Sequence, residues 1–476
     1  MPRDLLALFT APGSWWLGAI VLALDVLAIG RALLRNHGVE STLAWIMAIL
    51  AFPGVGAAAY LLAADPLVRR PARPRRAAGE AAQAPTPPTG SLAGGAADGL
   101  MRIAARLTGM APTGGNEIAV LAESEDAFRR IAGALAAARR SIWAEYYLVR
   151  NDETGHAFLA ALAAAAGRGV EVRLLFDAVG SLGIDGGRLA VILAAGGRVA
   201  PFLPLNPLRR RWAVHLRNHR KLVIVDGETA FTGGMNVGDE YSGRSRRRGG
   251  THFLDTHLEV RGPAIRDLAA VFADDWHFST DESLACAAAP APAGPASVAI
   301  VPSGPDQELN ASAFAYFTGI TLARERCFLT TPYFIPDEPT LRALVAAAQR
   351  GVDVRLMVPA RCDVRLVGAA ARASFPRLVH GGVHVLEYLP SMLHAKTLVA
   401  DGEAAIIGSA NVDIRSFRFN FELGAVVADA AVAAALERRF LAAAGASREV
   451  TAAGAERAWL PRRVADGAAR LLSPLL

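Results

Sequence analysis

Two short motifs in the chain carry the same reactive side chains at the same spacing. "HRKLVIVDG" begins at residue 219 and "HAKTLVADG" begins at residue 394, and each has a histidine, then a lysine, then an aspartate. Imidazole can attack an electrophile or transfer a proton near neutral pH, and an ammonium group stabilises negative charge that develops in a transition state. Two such pairs indicate chemistry on an anionic ester.

The motifs are expected to lie on β-strands. Histidine and lysine are separated by one residue in each motif, so on a strand both side chains point to the same side. The apolar runs "LVIV" and "TLVA" fit buried strands, and Asp-Gly fits the turn that ends each of them. A second strand then leads to Asn236 in one copy and to Ser409 and Asn411 in the other.

This set of side chains suits a phosphodiester. One histidine would attack phosphorus and form a phosphohistidine, while the other would protonate the departing alkoxide and later deprotonate the incoming hydroxyl. No metal or cofactor is expected, because the lysines already supply cationic charge. The candidate catalytic residues are His219, Lys221, Asp226, His394, Lys396 and Asp401, and the candidate phosphate-binding residues are Asn236, Ser409 and Asn411.

The two motif aspartates have a second interpretation, and the histidines need partners. Asp226 and Asp401 stand directly before a glycine, which also favours a structural role in a turn. A histidine nucleophile needs an acceptor for its other ring nitrogen. Asp255 and Glu422 occupy equal places in the two copies, so we expect each to orient the histidine of its own copy.

The body of the chain is duplicated beyond the motifs. "GRGVEVRLLFDA" begins at residue 167 and "QRGVDVRLMVPA" begins at residue 349, each after an Ala-rich helical stretch. Helix, glycine and a short β-branched run recur through both halves, which predicts an α/β fold. We expect two similar lobes over residues 100–295 and 296–476, each a mixed sheet flanked by helices, sharing one active site; a helix ends the second lobe.

The amino-terminal segment predicts attachment to a membrane. Only 20% of the residues are charged and the mean hydropathy is +0.29. Residues 14–34 and 42–62 within the first 66 are long enough and apolar enough for two transmembrane helices. A signal peptide is the alternative for the first segment, and a buried soluble helix is the alternative for the second. Residues 67–99 are basic and rich in Pro, Ala and Gly, which predicts a linker.

Charge near these segments sets the expected orientation. Five arginines follow the second segment between residues 69 and 76, opposed by few acids. Positive charge stays on the cytoplasmic side, so we expect a multi-pass protein of a bacterial cytoplasmic (inner) membrane with both termini and the catalytic domain in the cytoplasm. The net charge of +6 suits an anionic partner. Residues 456–476 fit either an amphipathic helix on the membrane surface or a helix packed on the body.

The paired H-x-K-x4-D motifs resemble the phospholipase D superfamily, and "TPYFIPDE", "DTHLEVRGPA" and "ANVDIRSFRFNFE" resemble bacterial cardiolipin synthases. The resemblance implies transfer of a phosphatidyl group between two phosphatidylglycerol molecules, giving cardiolipin and glycerol through a phosphohistidine. It also implies that His219 attacks and that His394 is the general acid and base. Gly234 stands where the second copy has Ser409, so asymmetric phosphate contacts are expected.

Other activities fit the same residues. Water as the acceptor would make the protein a phospholipase D that releases phosphatidic acid. A superfamily nuclease is disfavoured by the membrane segments and by the lack of interleaved aromatic and basic residues, so no nucleic acid partner is expected. A membrane scaffold with an inactive site is disfavoured because both motifs are intact. Membrane phospholipids are the expected partners, and the acceptor and the oligomeric state stay open.

Overall fold

A computed structural model describes residues 15–34, 39–63, 95–204, 216–244, 252–456 and 460–471. The chain divides into two compact units, one of residues 1–72 with 203–216 and one of residues 73–202 with 217–476. The first unit contains α1 (Trp15–Leu34), α2 (Val39–Ala51) and α3 (Val55–Ala63). The second unit contains the duplicated body.

One helix among the described residues is long and apolar enough to cross a membrane. It spans Trp16–Leu34 with a mean hydropathy of 2.1, and only 17% of it is buried within the protein. An exposed apolar surface of this length fits the hydrocarbon layer of a bilayer. This helix corresponds to the first of the two predicted transmembrane helices.

The second predicted transmembrane helix is two shorter helices that fold back on each other. The chain turns between α2 and α3 at Pro53 and at Gly54, whose φ is +76°. The rings of Trp45 and Tyr60 lie 5.6 Å apart, whereas fifteen residues of continuous helix would separate them by about 22 Å. The prediction of one helix over residues 42–62 is therefore wrong, because proline and a left-handed glycine form a turn at its centre.

Asp25, the acid within α1, stabilises this turn. Its carboxylate accepts a hydrogen bond of 2.9 Å from the backbone N–H of Gly54. A backbone donor without a partner is costly in an apolar environment, and a carboxylate satisfies it strongly. Because Asp25 lies near the middle of α1, the turn of the α2–α3 hairpin lies level with the middle of that helix.

The segment predicted as a linker ends earlier than expected. Residues 64–94 lie outside the described part of the chain, but α4 begins at Ala96, so the linker prediction is wrong for its last residues. The apolar side chains of Leu100, Met101 and Ala104 are buried in the hydrophobic core of the second half of the body. The start of the predicted first lobe thus packs into the other lobe.

The remaining elements form the body, which is a mixed sheet with helices on its faces. Its helices are α4 (Ala96–Thr108), α5 (Ser124–Ala137), α6 (Glu153–Gly167), α7 (Gly186–Ala194), α8 (Ile265–Thr280), α9 (Ala311–Leu322), α10 (Glu338–Gln349), α11 (Arg365–Arg372), α12 (Phe375–His380), α13 (Ile414–Arg418), α14 (Ala430–Ala444), α15 (Ala452–Glu456) and α16 (Leu460–Leu471). The strands up to residue 261 are β1 (Thr113–Leu121), β2 (Ser141–Tyr146), β3 (Glu171–Asp177), β4 (Arg198–Phe202), β5 (Arg217–Asn218), β6 (Lys221–Val225), β7 (Thr229–Gly233), β8 (Phe253–Leu254) and β9 (His257–Arg261). The strands of the second half are β10 (Ala296–Ser303), β11 (Arg326–Thr330), β12 (Phe334–Ile335), β13 (Asp353–Pro359), β14 (His384–Tyr388), β15 (Met392–Leu393), β16 (Thr397–Ala400), β17 (Ala404–Gly408), β18 (Val412–Asp413), β19 (Asn420–Ala428) and β20 (Ser447–Glu449).

The two halves of the sheet have the same strand order and the same strand directions. Outward from the centre, the first half runs β1, β9, β7, β6, β2, β3 and β4, and the second runs β10, β19, β17, β16, β11, β13 and β14. In both halves the first five strands are antiparallel to their neighbours and the last two join in parallel. The central strands β1 and β10 pair with each other. The predicted duplicated α/β body is confirmed.

The carboxyl-terminal helix α16 packs on the body. Ala469 is buried against Val367 and Ala370 of α11, and Asp466 accepts a hydrogen bond of 2.7 Å from Arg372. Of the two interpretations of this segment, packing on the body is the one that the structure adopts.

Candidate active site

Short strands exchanged between the two halves position the histidines. In the first half, β5 leads to His219 and pairs with β19 of the second half, and the N–H of His219 donates to the carbonyl of Phe421 at 2.8 Å. In the second half, β15 leads to His394 and pairs with β8 of the first half, and the N–H of His394 donates to Leu254 at 2.8 Å. Each histidine is thus held by backbone of the opposite half.

Each histidine also contacts a carboxylate of the opposite half. Nδ1 of His219 lies 3.1 Å from Oε2 of Glu422, and Nδ1 of His394 lies 2.6 Å from Oδ2 of Asp255. The expectation that each acid orients the histidine of its own half is therefore wrong. Because β5 and β15 cross to the other sheet, each imidazole meets the acid of the partner half.

The electrostatics of the site favour neutral imidazoles beside ionised acids. Burial lowers the pKa of His219, and burial together with Lys396 lowers the pKa of His394 to about 4. Burial opposes ionisation of Glu422, but His219 and Lys221 outweigh it and bring the pKa of Glu422 to about 2. A neutral ring that donates its Nδ1–H to a carboxylate has a free electron pair on Nε2, which is the state needed for nucleophilic attack.

Both lysines are buried beside the histidines. Nζ of Lys221 donates to the carbonyl of His219 at 2.6 Å, and Nζ of Lys396 donates to the carbonyl of His394 and lies 3.7 Å from Asp255. Burial lowers the pKa of Lys221 and lowers that of Lys396 to about 8. After burial, both ammonium groups contribute to lowering the pKa of each histidine, so the four side chains belong to one site.

Ser409 and Gly234 occupy equal places but differ for a steric reason. The hydroxyl of Ser409 donates to Glu422 and accepts from the N–H of Leu423 at 3.0 Å. A Cβ at Gly234 would stand 2.1 Å from Oδ1 of Asp255. Glycine is required there because the Asp255 carboxylate fills the space that a side chain would take.

We expect Gly234→Ala to lower activity by about 100-fold, because a displacement of about 1 Å in a catalytic group has an effect of this size. The new methyl would push Asp255 away from His394. Gly133→Ala is the matched control, since Gly133 lies in α5 with nothing within 4 Å of a Cβ. Steady-state rates and thermal unfolding of both variants measure the effect, and unchanged activity of Gly234→Ala would contradict this account of Asp255.

Both asparagines are buried, and Tyr241 connects Asn236 with His394. Nδ2 of Asn236 lies 2.9 Å from the hydroxyl of Tyr241, and the ring of Tyr241 lies 5.3 Å from that of His394. Among the described residues, the amide oxygens of both Asn236 and Asn411 are buried without a hydrogen-bond partner. Buried polar atoms of this kind indicate a place for a polar ligand.

Asp226 and Asp401 lie away from the histidines. Asp226 accepts backbone N–H groups of Arg139, Arg140 and Ser141. Asp401 does the same for residues 324, 325 and 326. Each follows its lysine by five residues of strand, roughly 16 Å. The structure contradicts their place among the catalytic residues and agrees with the alternative role in a turn.

Four aromatic side chains of the site were not predicted from the sequence. The ring of Tyr147 lies 4.8 Å from that of His219, Phe253 stacks on His394 at 5.3 Å, and Tyr333 lies 6.4 Å from His394, beside Tyr241. Tyr147 and Tyr333 do not hold equal places, because the pairing of β2 with β6 and of β11 with β16 matches Tyr147 with Pro332, so the duplication could not have identified them. The repeat gives no signal for Phe253 either.

The part of the chain that the structure describes has no group of three His, Cys, Asp or Glu side chains arranged as metal ligands.

Comparison with known proteins identifies the family. The family model described as "Cardiolipin synthase, PLD-like domain" matches residues 131–248 and 316–443, one segment in each half. The cardiolipin synthase of Geobacillus kaustophilus is 35% identical over 489 residues, which cover 99% of this chain and 97% of that protein. The chain belongs to the cardiolipin synthase family. The cardiolipin synthase of Halalkalibacterium halodurans is also 35% identical, over 97% of this chain and 95% of its own.

Two further comparisons concern the membrane segment and the fold. Residues 23–64 match the family model "Phospholipase_D-nuclease N-terminal". The crystal structure of a phosphatidylserine synthase from Haemophilus influenzae covers 79% of this chain and 100% of its own, with a TM-score of 0.61 and 13% identity. This likeness concerns the fold alone. The sequence resemblance to cardiolipin synthases of the phospholipase D superfamily is confirmed.

Proposed function

We propose that the protein transfers a phosphatidyl group from one phosphatidylglycerol to another, giving cardiolipin and glycerol. The observation that carries the proposal is the crosswise pairing of two histidines with two carboxylates, Glu422 on His219 and Asp255 on His394. A neutral His219 that donates its Nδ1–H to Glu422 has its Nε2 electron pair available to attack phosphorus. His394, whose Nε2 lies 3.2 Å from Nζ of Lys396, suits proton transfer once the substrate charge has raised its pKa.

In the first half-reaction, Nε2 of His219 attacks the phosphorus of phosphatidylglycerol. The P–N bond forms as the bond from phosphorus to the glycerol oxygen breaks, and that oxygen takes a proton from His394. His219 suits the attack because Glu422 and the carbonyl of Ser409, at 3.1 and 3.2 Å from Nδ1, hold its ring. Glu422 also stabilises the positive charge that develops on the ring.

In the second half-reaction, His394 removes a proton from the hydroxyl of a second phosphatidylglycerol. The alkoxide oxygen attacks phosphorus, the P–N bond breaks, and His219 returns to its neutral form. The pKa of His394 is about 4 in the free site, where burial and Lys396 lower it. An incoming phosphodiester adds negative charge beside the ring, which raises the pKa of His394 and lets it carry the proton.

Lysines and amides would hold the phosphate oxygens. Lys221 and Lys396 supply two positive charges in a buried site, where charge stabilisation is strong. Nδ2 of Asn236 donates one hydrogen to the hydroxyl of Tyr241 at 2.9 Å, and its second N–H can donate to phosphate. Asn411 holds the equal place in the other half, and Ser409 acts through its hydrogen bond to Glu422.

The rate should fall on the acid side only below pH 6.5, the ordinary histidine value. His219 must be neutral to attack, and burial lowers its pKa, so the neutral form persists to lower pH than in an exposed histidine. Glu422 opposes this shift, so Glu422→Gln moves the acid limb further down. Profiles of kcat/KM from about pH 5 to about 9 measure both positions, and an acid limb above 6.5 would contradict the assignment.

We also propose that the body lies at the cytoplasmic face of a bacterial membrane and that α1 alone crosses it. The α2–α3 hairpin returns to the side it entered from, as the contact of Trp45 with Tyr60 requires. Arg31, Arg35 and the arginines of residues 69–76 then share one side, which agrees with the preference of positive charge for the cytoplasm. This replaces the expected two crossings, and it puts the amino terminus opposite the body.

Cysteine labelling checks this topology. A membrane-impermeant maleimide applied from the outside should label Thr10→Cys and leave Ala72→Cys unlabelled in intact cells. Lysed cells, in which both positions react, provide the control for accessibility. If neither position is labelled in intact cells, both lie on the cytoplasmic side and the membrane is crossed twice.

Product analysis tests the proposed reaction. Purified protein in mixed micelles with phosphatidylglycerol should give cardiolipin and glycerol in equal amounts by mass spectrometry. Phosphatidic acid and glycerol without cardiolipin would make water the acceptor and the protein a phospholipase D.

A further inference from the structure

Each histidine has a tyrosine neighbour from its own half of the chain, and the two tyrosines, which lie one position apart in the alignment of the halves, have different surroundings. Tyr147 follows β2 and Tyr333 follows β11, which hold equal places in the two halves of the sheet. Each ring meets its histidine edge to face, Tyr147 at 62° to His219 and Tyr333 at 88° to His394.

The surroundings of Tyr147 contain charged groups of both signs. The Nζ atom of Lys221 lies 5.4 Å from the centre of its ring. Burial and Asp177 raise the pKa of the Tyr147 hydroxyl, and the nearby guanidinium groups of Arg415 and Arg217 oppose them. On this side of the site, the ammonium group of Lys221 suits the negative charge of a phosphatidyl group.

The surroundings of Tyr333 are anionic. Its hydroxyl donates to the carboxylate of Asp363, with both carboxylate oxygens at 3.0 Å. The N–H of Val364, just before α11, donates to Oδ1 of Asp363 at 3.0 Å and fixes the carboxylate. Asp363 is exposed, so its carboxylate has open acceptor positions. Its charge reaches the interior, since it is among the groups that oppose the lowering of the Lys396 pKa by burial.

We propose that Asp363 and Tyr333 form a subsite for the hydroxyl groups of a polyol, the glycerol moiety that leaves first and is replaced by the acceptor. In-line displacement by His219 puts the oxygen of the alcohol on the side of His394, where Tyr333 packs. An ionised carboxylate accepts two or more hydrogen bonds from neighbouring hydroxyls and does so more strongly than a neutral acceptor. The inference rests on the proposed function, because it needs His394 to face the alcohol.

The negative charge of Asp363 also orders the acceptor. A second phosphatidylglycerol carries one phosphate and a glycerol end with two hydroxyls. Like charge keeps the phosphate away from Asp363 and turns the hydroxyl end toward it. The hydroxyl that reacts loses its proton to His394, forms the bond to phosphorus and displaces the imidazole of His219. A polyol is thereby favoured over a simple alcohol of equal size.

Competition between deuterated glycerol and 1-propanol at equal concentration measures this preference. Phosphatidylglycerol is the donor, and the labelled phosphatidylglycerol and phosphatidylpropanol formed are counted by mass spectrometry. The wild-type protein should prefer glycerol, and Asp363→Asn should reduce the product ratio about tenfold or more, as expected for loss of hydrogen bonds to a charged acceptor. Tyr333→Phe should move the ratio in the same direction by a smaller factor.

Matched variants make each outcome decisive. Tyr147→Phe makes the same change at the tyrosine beside His219 and should leave the ratio unchanged, whatever it does to the rate. An unchanged ratio in both Asp363→Asn and Tyr333→Phe, or no preference in the wild type, overturns the subsite. Loss of all transfer in a folded Asp363→Asn, including transfer to water, also overturns it, because Asp363 would then act on the chemistry. Failure of the wild type to form cardiolipin rejects the proposed function instead.

Discussion

Alanine at either His219 or His394 should lower cardiolipin formation by about 10⁴-fold or more, since residues that act as one catalytic unit lose nearly everything when one is removed. Each half of the sheet supplies one of the two histidines, and neither ring can do the work of both. The measurement is the steady-state rate with phosphatidylglycerol in mixed micelles.

His384→Ala is the control for this pair. His384 is an exposed histidine whose ring lies 2.7 Å from the carboxylate of Glu449, so it resembles the catalytic pairs in type but lies in β14, at the outer part of the sheet. We expect its activity to stay within about twofold of wild type, as for most surface changes. A tenth of wild-type activity or more in either His219→Ala or His394→Ala would exclude the shared site.

Substitution of the two carboxylates should slow different half-reactions: Glu422 acts on the attack by His219, and Asp255 acts on the transfer to the acceptor. A donor with a p-nitrophenol leaving group needs no general acid, so its burst reports attack by His219 alone. Glu422→Gln should slow the burst by about 10²- to 10⁴-fold, because the amide no longer stabilises the charged imidazole, as in a serine protease triad. Asp255→Asn should keep the burst and slow the following transfer to the acceptor.

The opposite pattern has a clear meaning. A slow burst in Asp255→Asn with a normal burst in Glu422→Gln would indicate that each acid serves the histidine of its own half. Equal slowing of both steps in both variants would mean that the carboxylates act on the structure of the whole site. Thermal unfolding of each variant separates loss of fold from loss of a step.

Much of the body could be predicted from the sequence because the chain contains an internal repeat, and its two copies can be compared. Equal segments 182 residues apart, "GVEVRLLFDA" and "GVDVRLMVPA", carry the β-branched runs that form β3 and β13. The His-x-Lys spacing predicted both side chains on one strand, which is wrong in detail, because His219 lies between β5 and β6, and both His394 and Lys396 lie between β15 and β16. The trailing Asn236 and Asn411 still hold equal places in the two halves. A repeat of this kind predicts two equal halves, since both must bury the same apolar faces.

The spacing of residues in the sequence could not predict which side chains of the two halves contact each other. Asp255 and Glu422 hold equal places, so a repeat alone cannot say which histidine each one meets. The choice depends on β5 pairing with β19 and on β15 pairing with β8, and these pairs join residues more than a hundred positions apart. Two-residue strands carry too little pattern to be predicted.

The prediction of a second transmembrane helix was wrong for a different reason. Hydropathy counts apolar residues over a window and is blind to direction, so residues 42–62 met the requirement for a transmembrane helix. The turn at Gly54 needs a left-handed backbone and a partner for its N–H, and Asp25 supplies the partner from another helix. Pro53 within the segment and Asp25 inside an apolar helix were the visible signals, and the role of Asp25 required the fold.

The central claim is that His219 carries the phosphatidyl group, and mapping that bond tests it most directly. His394→Ala is incubated with the p-nitrophenyl donor, quenched at alkaline pH and digested, and the peptides are sequenced by mass spectrometry. We expect a phosphatidyl adduct on His219, which persists because no base activates the acceptor. An adduct on another residue, or none while p-nitrophenol is released in stoichiometric amount, would contradict it.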